Sequence, residues 1–179
     1  YTLAVLKNKN YNSTYTKDLN YDFSKVDVVI IISSIVCCET EIECIKKIKK
    51  INDTIKIFVI GPFATNNPEK YIDEKAIVIS GEPEFFFLKY DNLLKFEDGQ
   101  IVKFDHEYSL DDLPFPAWDK MLDSKYKVSL LFGNYKTVPI IATRGCPYSC
   151  FKYCVYPLQQ GRKVRQRDPK KIVDELEYW

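Results

Sequence analysis

Histidine is nearly absent from this sequence, which contains one, His106, among 179 residues. A zinc site built from several imidazoles, or a mechanism that needs more than one of them, is therefore not expected. We interpret His106 as a surface residue of a connecting segment rather than as a metal ligand.

The sequence also lacks a long apolar run. The longest one, residues 26–38, is interrupted by Asp27 and two serines and is shorter than the roughly 20 residues that cross a bilayer. No basic segment followed by an apolar stretch and a small-residue cleavage site opens the chain. A net charge of +1 does not indicate a polyanionic partner. We expect a cytoplasmic protein without a membrane span, and we do not expect nucleic acid as its partner.

The six cysteines fall into two groups of three, Cys37, Cys38 and Cys44, then Cys146, Cys150 and Cys154. Without a secretory signal, clustered cysteines favour metal or redox chemistry over structural disulfides. Cys44 lies on the apolar face of a predicted helix, where a cysteine behaves as a small hydrophobic residue. Adjacent thiols such as Cys37 and Cys38 rarely ligate one ion, so we predict no metal site in the first group.

Strands alternate with helices through the first half of the chain. Apolar, β-branched runs predict strands at residues 26–34, 55–60 and 76–80. Isoleucines recur at every third position opposite lysines in residues 39–51, which predicts an amphipathic helix. Further helices are predicted at residues 3–9, at 68–73, and from Gly81-Glu82-Pro83-Glu84 through 88–94. This alternation predicts a doubly wound, Rossmann-like α/β sheet.

The start of the chain is less regular. Residues 13–19 are predicted to form a weak edge strand. No strand precedes the first predicted helix, and a sheet of three or four strands is small. We therefore expect the chain to begin inside a domain.

The pattern changes after Leu94. Residues 96–101 predict a hairpin with an Asp-Gly turn, and residues 109–123 predict a connector packed down by Phe115 and Trp118. Residues 128–132 and 138–143 predict strands around Gly133-Asn134. A loop rich in cysteine and then arginine is predicted at 144–167. Asp168-Pro169 predicts the start of a final helix, with Asp168 as the N-cap.

Residues 143–154, TRGCPYSCFKYC, place three cysteines within nine residues, directly after a predicted apolar strand. Thiolates suit iron–sulfur clusters and zinc. A zinc site closed by protein normally has four ligands, and no fourth cysteine or histidine lies nearby. Three ligands on a four-iron cluster would leave one iron open for a substrate or cofactor. The alternative is three buried or free thiols on a surface loop.

This segment resembles the cysteine loop of radical S-adenosylmethionine (SAM) enzymes, and the similarity continues through residues 155–165 and 168–179. It is most similar to the group that carries a cobalamin (B12)-binding domain. Three upstream segments resemble that group too: 61–65 (GPFAT), 81–84 (GEPE) and 113–118 (LPFPAW). One departure is that three residues, Phe151, Lys152 and Tyr153, separate the last two cysteines, where the family has two.

The resemblance implies a division of the chain into three parts. Residues 1–94 would form a cobalamin-binding-like Rossmann-type domain, incomplete at its N-terminus, and 95–136 a hairpin and linker. Residues 137–179 would form the first βα unit of a truncated (β/α) radical SAM barrel. A complete barrel takes about 250 residues, so this part alone is expected to be inactive.

The resemblance also implies roles for the cysteines. Cys146, Cys150 and Cys154 would ligate a [4Fe–4S] cluster whose open iron binds SAM. The reduced cluster would cleave SAM to a 5′-deoxyadenosyl radical or, with cobalamin, support methyl transfer. An electron donor such as flavodoxin or ferredoxin and a small-molecule substrate would be the partners. Tyr153 occupies the place of an aromatic residue that lies against the adenine, although loop packing is an equally open interpretation.

A cobalamin site is predicted by position. Ser33, Ser34, Gly61 and Pro62 follow two predicted parallel strands, and ligands bind such sheets beyond the carboxyl ends of the strands. Ordinary turn chemistry is the alternative interpretation. The chain contains no Asp-x-His-x-x-Gly segment, so histidine ligation of cobalt is not predicted.

Two other functions stay open. A radical SAM methylthiotransferase acting on tRNA or protein has a similar cysteine loop, but its further cluster cysteines are more widely spread than Cys37, Cys38 and Cys44. A degenerate, non-catalytic binding protein is the third hypothesis. A basic stretch could contact an anionic substrate or RNA, although a solvated surface explains it as well: Arg162, Lys163, Arg165, Arg167, Lys170 and Lys171.

Overall fold

A four-stranded parallel sheet in the order β1-β2-β3-β4 forms the centre of the protein. The computed structural model describes residues 1–18, 20–104, 108–121, 128–130, 133–135, 138–148, 150 and 154–179. The elements of the sheet region are α1 (Thr2–Asn8), β1 (Val28–Ile32), α2 (Cys38–Ile51), β2 (Lys56–Ile60), α3 (Pro62–Asn66), α4 (Glu69–Ile72), β3 (Ile77–Ser80), α5 (Pro83–Lys89) and β4 (Ile101–Lys103). This mixed α/β arrangement confirms the predicted parallel sheet and is consistent with a Rossmann-like fold.

Helices cover both faces of this sheet. Successive side chains of a strand point to opposite faces, so Phe58 and Ile60 pack with α1 and α5, whereas Ile57 and Val59 pack with α2, α3 and α4. The central strands β2 and β3 are buried from both sides. Because both faces of these two strands are buried, nearly all of their residues are apolar, which explains the continuous apolar runs in the sequence.

The amphipathic helix is α2. Ile45 and Ile48 are fully buried against the sheet, while Ile51, in its last turn, is 50% exposed. Three isoleucines at intervals of three drift around a helix with 3.6 residues per turn. The buried face therefore ends before the last isoleucine.

Four predictions for the sheet region were wrong or incomplete. Residues 13–18 form no strand; the Asp18 amide donates to Thr16 Oγ1 (3.0 Å), a local bond that competes with strand pairing. The Asp98-Gly99 turn exists, but no hairpin does. β4 instead pairs parallel with β3. The helix predicted through 88–94 ends at Lys89, and residues 93–95 form a separate 3₁₀-helix. Helix α3, which begins at Pro62 directly after β2, was not predicted from the sequence.

The second half of the chain contains short elements. They are a 3₁₀-helix (Leu110–Asp112), α6 (Trp118–Met121), β5 (Val128–Leu130), β6 (Gly133–Tyr135), β7 (Thr143–Arg144), α7 (Tyr156–Gln160), β8 (Arg165–Gln166) and α8 (Pro169–Tyr178). β5 pairs antiparallel with β6, and β7 with β8. Leu110 and Leu113 anchor the connector in the core, whereas Phe115 and Trp118, the predicted anchors, are only partly buried.

The predicted strand at 138–143 is wrong over most of its length. Residues 138–142 have no strand, and only Thr143 of that range belongs to β7. Pro139 has no amide hydrogen to donate to a ladder, and the Ile141 carbonyl accepts from the Arg167 guanidinium (3.0 Å) instead of from a neighbouring strand. The final helix was predicted correctly: the Asp168 side chain accepts from the Lys170 amide at its start.

Within the described residues, the helices are all too short or too polar to cross a membrane.

Candidate functional site

The cysteine segment lies between β7 and β8, which hold its two ends together. Thr143 pairs with Gln166 and Arg144 with Arg165 in this short antiparallel ladder. Just inside it, the Cys146 amide donates to the Gly161 carbonyl (3.1 Å). Gly145 adopts φ +96°, and a Cβ built there would come within 2.1 Å of the Lys163 carbonyl oxygen. Only glycine allows the two arms of the loop to approach so closely.

Four charged side chains join this loop base to the sheet. Arg144 donates to Glu82 (2.9 Å) and to Glu84 (3.0 and 3.2 Å), and Arg165 donates to the other oxygen of Glu82 (2.5 Å). Glu82 follows β3 by two residues, at the carboxyl end of the sheet, and is 1% exposed. Burial lowers the pKa of Arg144, but Glu84 and Glu82 outweigh this and raise it. Arg144 therefore stays charged.

Helix α8 is tied to the same region. Arg167, adjacent to β8, lies 2.5 Å from Glu175, and both side chains are almost completely buried. The Asp168 amide donates to Asp111 Oδ1 (3.0 Å), and Lys171 donates to the Asp111 carbonyl (2.7 Å). Three cations of the basic stretch, Arg165, Arg167 and Lys171, are thus engaged in internal contacts.

The three cysteines are free thiols on this anchored segment. Cys146 and Cys154 are half-buried and Cys150 is exposed. Cys154 lies shortly before α7, which contacts α3 of the sheet region. Tyr153, predicted to lie against an adenine, is outside the described residues, as are Phe151, Lys152 and His106.

As donors the three thiols suit an iron–sulfur cluster, since soft thiolates are its usual ligands. Their present geometry is not that of an assembled site: within the part of the chain that the structure describes, no group of three or more Cys, His, Asp or Glu residues could hold a metal ion. The three thiols and the anchored ends of their loop therefore fit a [4Fe–4S] cluster. The three sulfur atoms would have to move together when the cluster binds.

The residues predicted to bind cobalamin come together at the carboxyl ends of β1 and β2. Ser33 is buried, and its Oγ accepts from the Ala64 amide (2.8 Å), so its hydroxyl is used within the first turn of α3. Gly61 lies against Ser33 with φ +108°, and Pro62 opens α3. The Ser34 amide donates to Glu41 Oε1 (2.8 Å). These contacts match the alternative interpretation, turn chemistry, for Ser33.

A buried polar cluster beneath this turn was missed by sequence reasoning. The Tyr71 hydroxyl donates to Glu41 Oε2 (2.6 Å), and Cys38 lies beside it. Burial, together with the bonds to Glu41 and Cys38, raises the pKa of Tyr71. The signal in the sequence was Glu41, an acidic residue on the face of α2 that is buried, which indicates a buried polar partner. Cys44 packs against the apolar core, as expected for a small hydrophobic residue, and burial raises the pKa of its thiol. Cys38 is buried in the same core.

No family model matches this chain, and no solved structure matches it either. Three curated proteins are distantly similar. An uncharacterised methyltransferase from Synechocystis sp. is 29% identical over 155 residues, covering 85% of this chain and 26% of the relative. Bacteriochlorophyllide d C-8(2)-methyltransferase from Chlorobaculum tepidum is 27% identical, covering 89% and 34%.

The third relative is tRNA-2-methylthio-N(6)-dimethylallyladenosine synthase from Flavobacterium psychrophilum, 25% identical over 97% of this chain and 34% of the relative. The chain thus spans about a quarter to a third of the length of these relatives. By name, two of the three relatives are methyltransferases and the third is a synthase of a methylthio-modified tRNA nucleoside.

Proposed function

We propose that the protein is a radical SAM enzyme that transfers methyl groups, with Cys146, Cys150 and Cys154 as the ligands of a [4Fe–4S] cluster. The observation that carries this proposal is the anchored three-thiol segment: both ends of the loop are fixed, and its thiols are free. Two methyltransferases among the distant relatives support the reaction class.

When bound, a reduced [4Fe–4S] cluster with one iron free of protein ligands would supply one electron to cleave SAM to methionine and a 5′-deoxyadenosyl radical. Because that cleavage leaves the methyl group on methionine, the methyl group that is transferred would come from a second SAM molecule, with cobalamin as its carrier. An external one-electron donor, of the flavodoxin or ferredoxin class, would replace that electron. The protein's part is positional. The β7–β8 ladder holds the ends of the loop, and Tyr153 would lie against the adenine.

Cobalamin is the second cofactor that we propose, at the carboxyl end of the parallel sheet. Ser34, Gly61 and Pro62 lie at this edge, and Ser33 supports it from beneath. Next to them, Ile32, Ile35 and Val36 are between 62% and 88% exposed. An exposed apolar surface of this kind suits a large, flat, partly apolar ligand. Residues 1–94 would then be the cobalamin-binding part, 95–136 the linker and 137–179 the start of the barrel, although β4 extends the sheet to Lys103.

A methylthiotransferase acting on tRNA is the second candidate, favoured by the similarity that covers 97% of this chain. The internal contacts of Arg165, Arg167 and Lys171 leave fewer cations for phosphate, which supports a small molecule over RNA as the substrate. A binding protein without a cluster is the third candidate.

The test is an anaerobic reconstitution of the full-length protein with iron and sulfide. We expect about four irons per cluster-binding chain and an EPR signal of the reduced protein that changes when SAM is added. Cys146→Ser, Cys150→Ser and Cys154→Ser should each lower the iron content, whereas Cys37→Ser, at an exposed cysteine outside the loop, should not. A protein without iron, or one whose signal ignores SAM, would rule the radical mechanism out. Bound corrinoid, detected by absorbance, would favour the first candidate over the second.

A further inference from the structure

Glu82 is placed to bind both strands of the loop base at once. Arg144 and Arg165 are directly paired across β7 and β8, and each donates to a different oxygen of the Glu82 carboxylate. Glu84 accepts from Arg144 alone of these two arginines in the described hydrogen bonds, at 3.0 and 3.2 Å. Glu82 therefore bridges the two strands, whereas Glu84 supports one of them.

The short ladder needs such a bridge. Like charges directly opposite each other on paired strands repel, and two residues per strand form too small a ladder to be stable alone. The Glu82 carboxylate, which is 1% exposed, lies between the two guanidinium groups. Its attraction to both of them offsets their mutual repulsion, and this attraction is stronger in a poorly hydrated environment than in water.

The same carboxylate connects the loop to the sheet. Glu82 precedes α5 and follows Gly81, whose amide donates to Thr65 Oγ1 of α3 (3.3 Å). Its backbone is thus fixed by elements of the sheet region. On the other side, Arg144 is followed at once by Gly145 and Cys146, whose amide contacts Gly161. Glu82 is thus connected to Cys146 through Arg144, which lies only two residues before Cys146.

We propose that Glu82 is a positioning residue that holds Cys146 for its ligand role by bridging Arg144 and Arg165. This inference rests on the proposed function, because the position of Cys146 matters only if its thiol has a ligand to bind. Glu82 lies outside the cysteine loop, at the end of the sheet where we propose that cobalamin binds.

The test compares the alkylation rates of individual cysteines in the metal-free, full-length protein, with iodoacetamide as the probe and mass spectrometry as the readout. Glu82→Gln keeps the shape of the side chain and removes its charge. We expect alkylation of Cys146 to rise about tenfold, since the loop base opens locally. Exposed Cys37 is the reference for reagent activity, and buried Cys38 reports unfolding of the sheet region.

Two matched variants complete the design. Glu84→Gln leaves the bridge in place and should raise the rate at Cys146 less than Glu82→Gln does. Arg144→Lys keeps the charge but loses the two-armed guanidinium, and should raise the rate at Cys146 while Cys38 stays protected. This second variant keeps the inference testable if Glu82→Gln does not fold.

The outcomes separate this inference from the proposed function. Equal rates at Cys146 in the wild type, Glu82→Gln and Arg144→Lys, or a rise shared with Cys38, would overturn the positioning role whatever the iron content. A selective rise at Cys146 together with reduced iron uptake in Glu82→Gln would support both proposals. A selective rise in a protein that takes up no iron would leave the bridge as a structural contact, and both the proposed function and the ligand role of Cys146 would fall.

Discussion

Gly145 lies directly against the carbonyl of Lys163: a Cβ on Gly145 would stand 2.1 Å from that oxygen. The contact closes the two arms of the cysteine loop at the level of Cys146, next to the β7–β8 ladder. Because the obstacle is backbone rather than a flexible side chain, a substitution can be accommodated only by moving the arms apart.

Replacing Gly145 by alanine should therefore open the loop base. We expect faster hydrogen exchange at the amide of Cys146, whose bond to Gly161 depends on the closed arms. The positive φ adds a strain of about 1–3 kcal/mol for a residue with a Cβ. Hydrogen exchange followed by mass spectrometry of peptides across 143–148 and 161–166 gives the measurement.

Gly99→Ala is the matched control for this prediction. Gly99 also has a positive φ, +75°, but its Cβ would lie 3.3 Å from the Ile72 carbonyl, a contact that a small shift relieves. Exchange at the loop base should be unchanged in this variant. If both glycine variants accelerate exchange there equally, the close contact with Lys163 is not what closes the loop.

Tyr71→Phe should destabilise the sheet region at neutral pH. The buried Tyr71 hydroxyl donates to Glu41, and its removal leaves a buried carboxylate oxygen without its donor. The expected loss in the free energy of unfolding is about 1–3 kcal/mol. Urea unfolding measures it, with Tyr21→Phe, at a partly exposed tyrosine, as the control expected to show little change.

The same variant should change how stability depends on alkaline pH. Desolvation and the bonds to Glu41 and Cys38 raise the pKa of Tyr71 in the folded protein, whereas in the unfolded chain it titrates near its ordinary value of about 10. The unfolded chain therefore releases the proton first, and the stability contributed by this group is complete below pH 10 and is lost as the pH rises further. Tyr71→Phe should lack this part of the alkaline loss; an identical slope in both proteins would contradict the assignment.

Asp98→Asn should weaken a charge cluster at the amino end of the sheet. Asp98 accepts from Lys49 (2.6 Å) and Lys56 (2.9 Å), which joins α2 and β2 to the turn before β4. Burial raises the pKa of Asp98, but the two lysines outweigh it and lower it overall. At pH 7 we expect a loss of up to about 1 kcal/mol, since the cluster is only partly buried.

Acid should remove the difference between wild type and Asp98→Asn. A lowered pKa in the folded protein contributes stability that is present above the unfolded value, about 3.9, and is lost as the pH falls through the folded value. Urea unfolding at pH 7 and near pH 3 measures this convergence. Asp53→Asn, at a mostly exposed pair with Lys75, should show a smaller difference at both values. A difference that persists unchanged in acid would contradict the role of the Asp98 charge.

Local patterns predicted much of the sheet region. β-Branched runs located β1, β2 and β3, and the alternation of isoleucine with lysine located α2, because burial on one face or both faces leaves a period in the sequence. The same reasoning failed where an element is short. β4 was assigned to a hairpin, since an Asp-Gly turn is also compatible with a parallel strand that follows a crossover.

The candidate site was predicted only in part. The three cysteines within nine residues are evident from the sequence alone, and the ability of thiolates to bind metal follows from the residue type. Tyr153 stays a prediction, and so do the cluster and cobalamin. The Glu41–Tyr71 cluster was not foreseen, because its two members are 30 positions apart and each could serve an ordinary role alone.

The sequence by itself determined the alternation of strands and helices, the thiol donors and the glycine that precedes the first of them, since these depend on residue type and local period. Only the tertiary structure decided that Glu82 meets Arg144, 62 positions away, and Arg165, 83 positions away. Many carboxylates in the chain could pair with these arginines. The packing of α5 and β3 selects Glu82 and Glu84, because a buried charge is tolerated only where partners of opposite charge lie within reach.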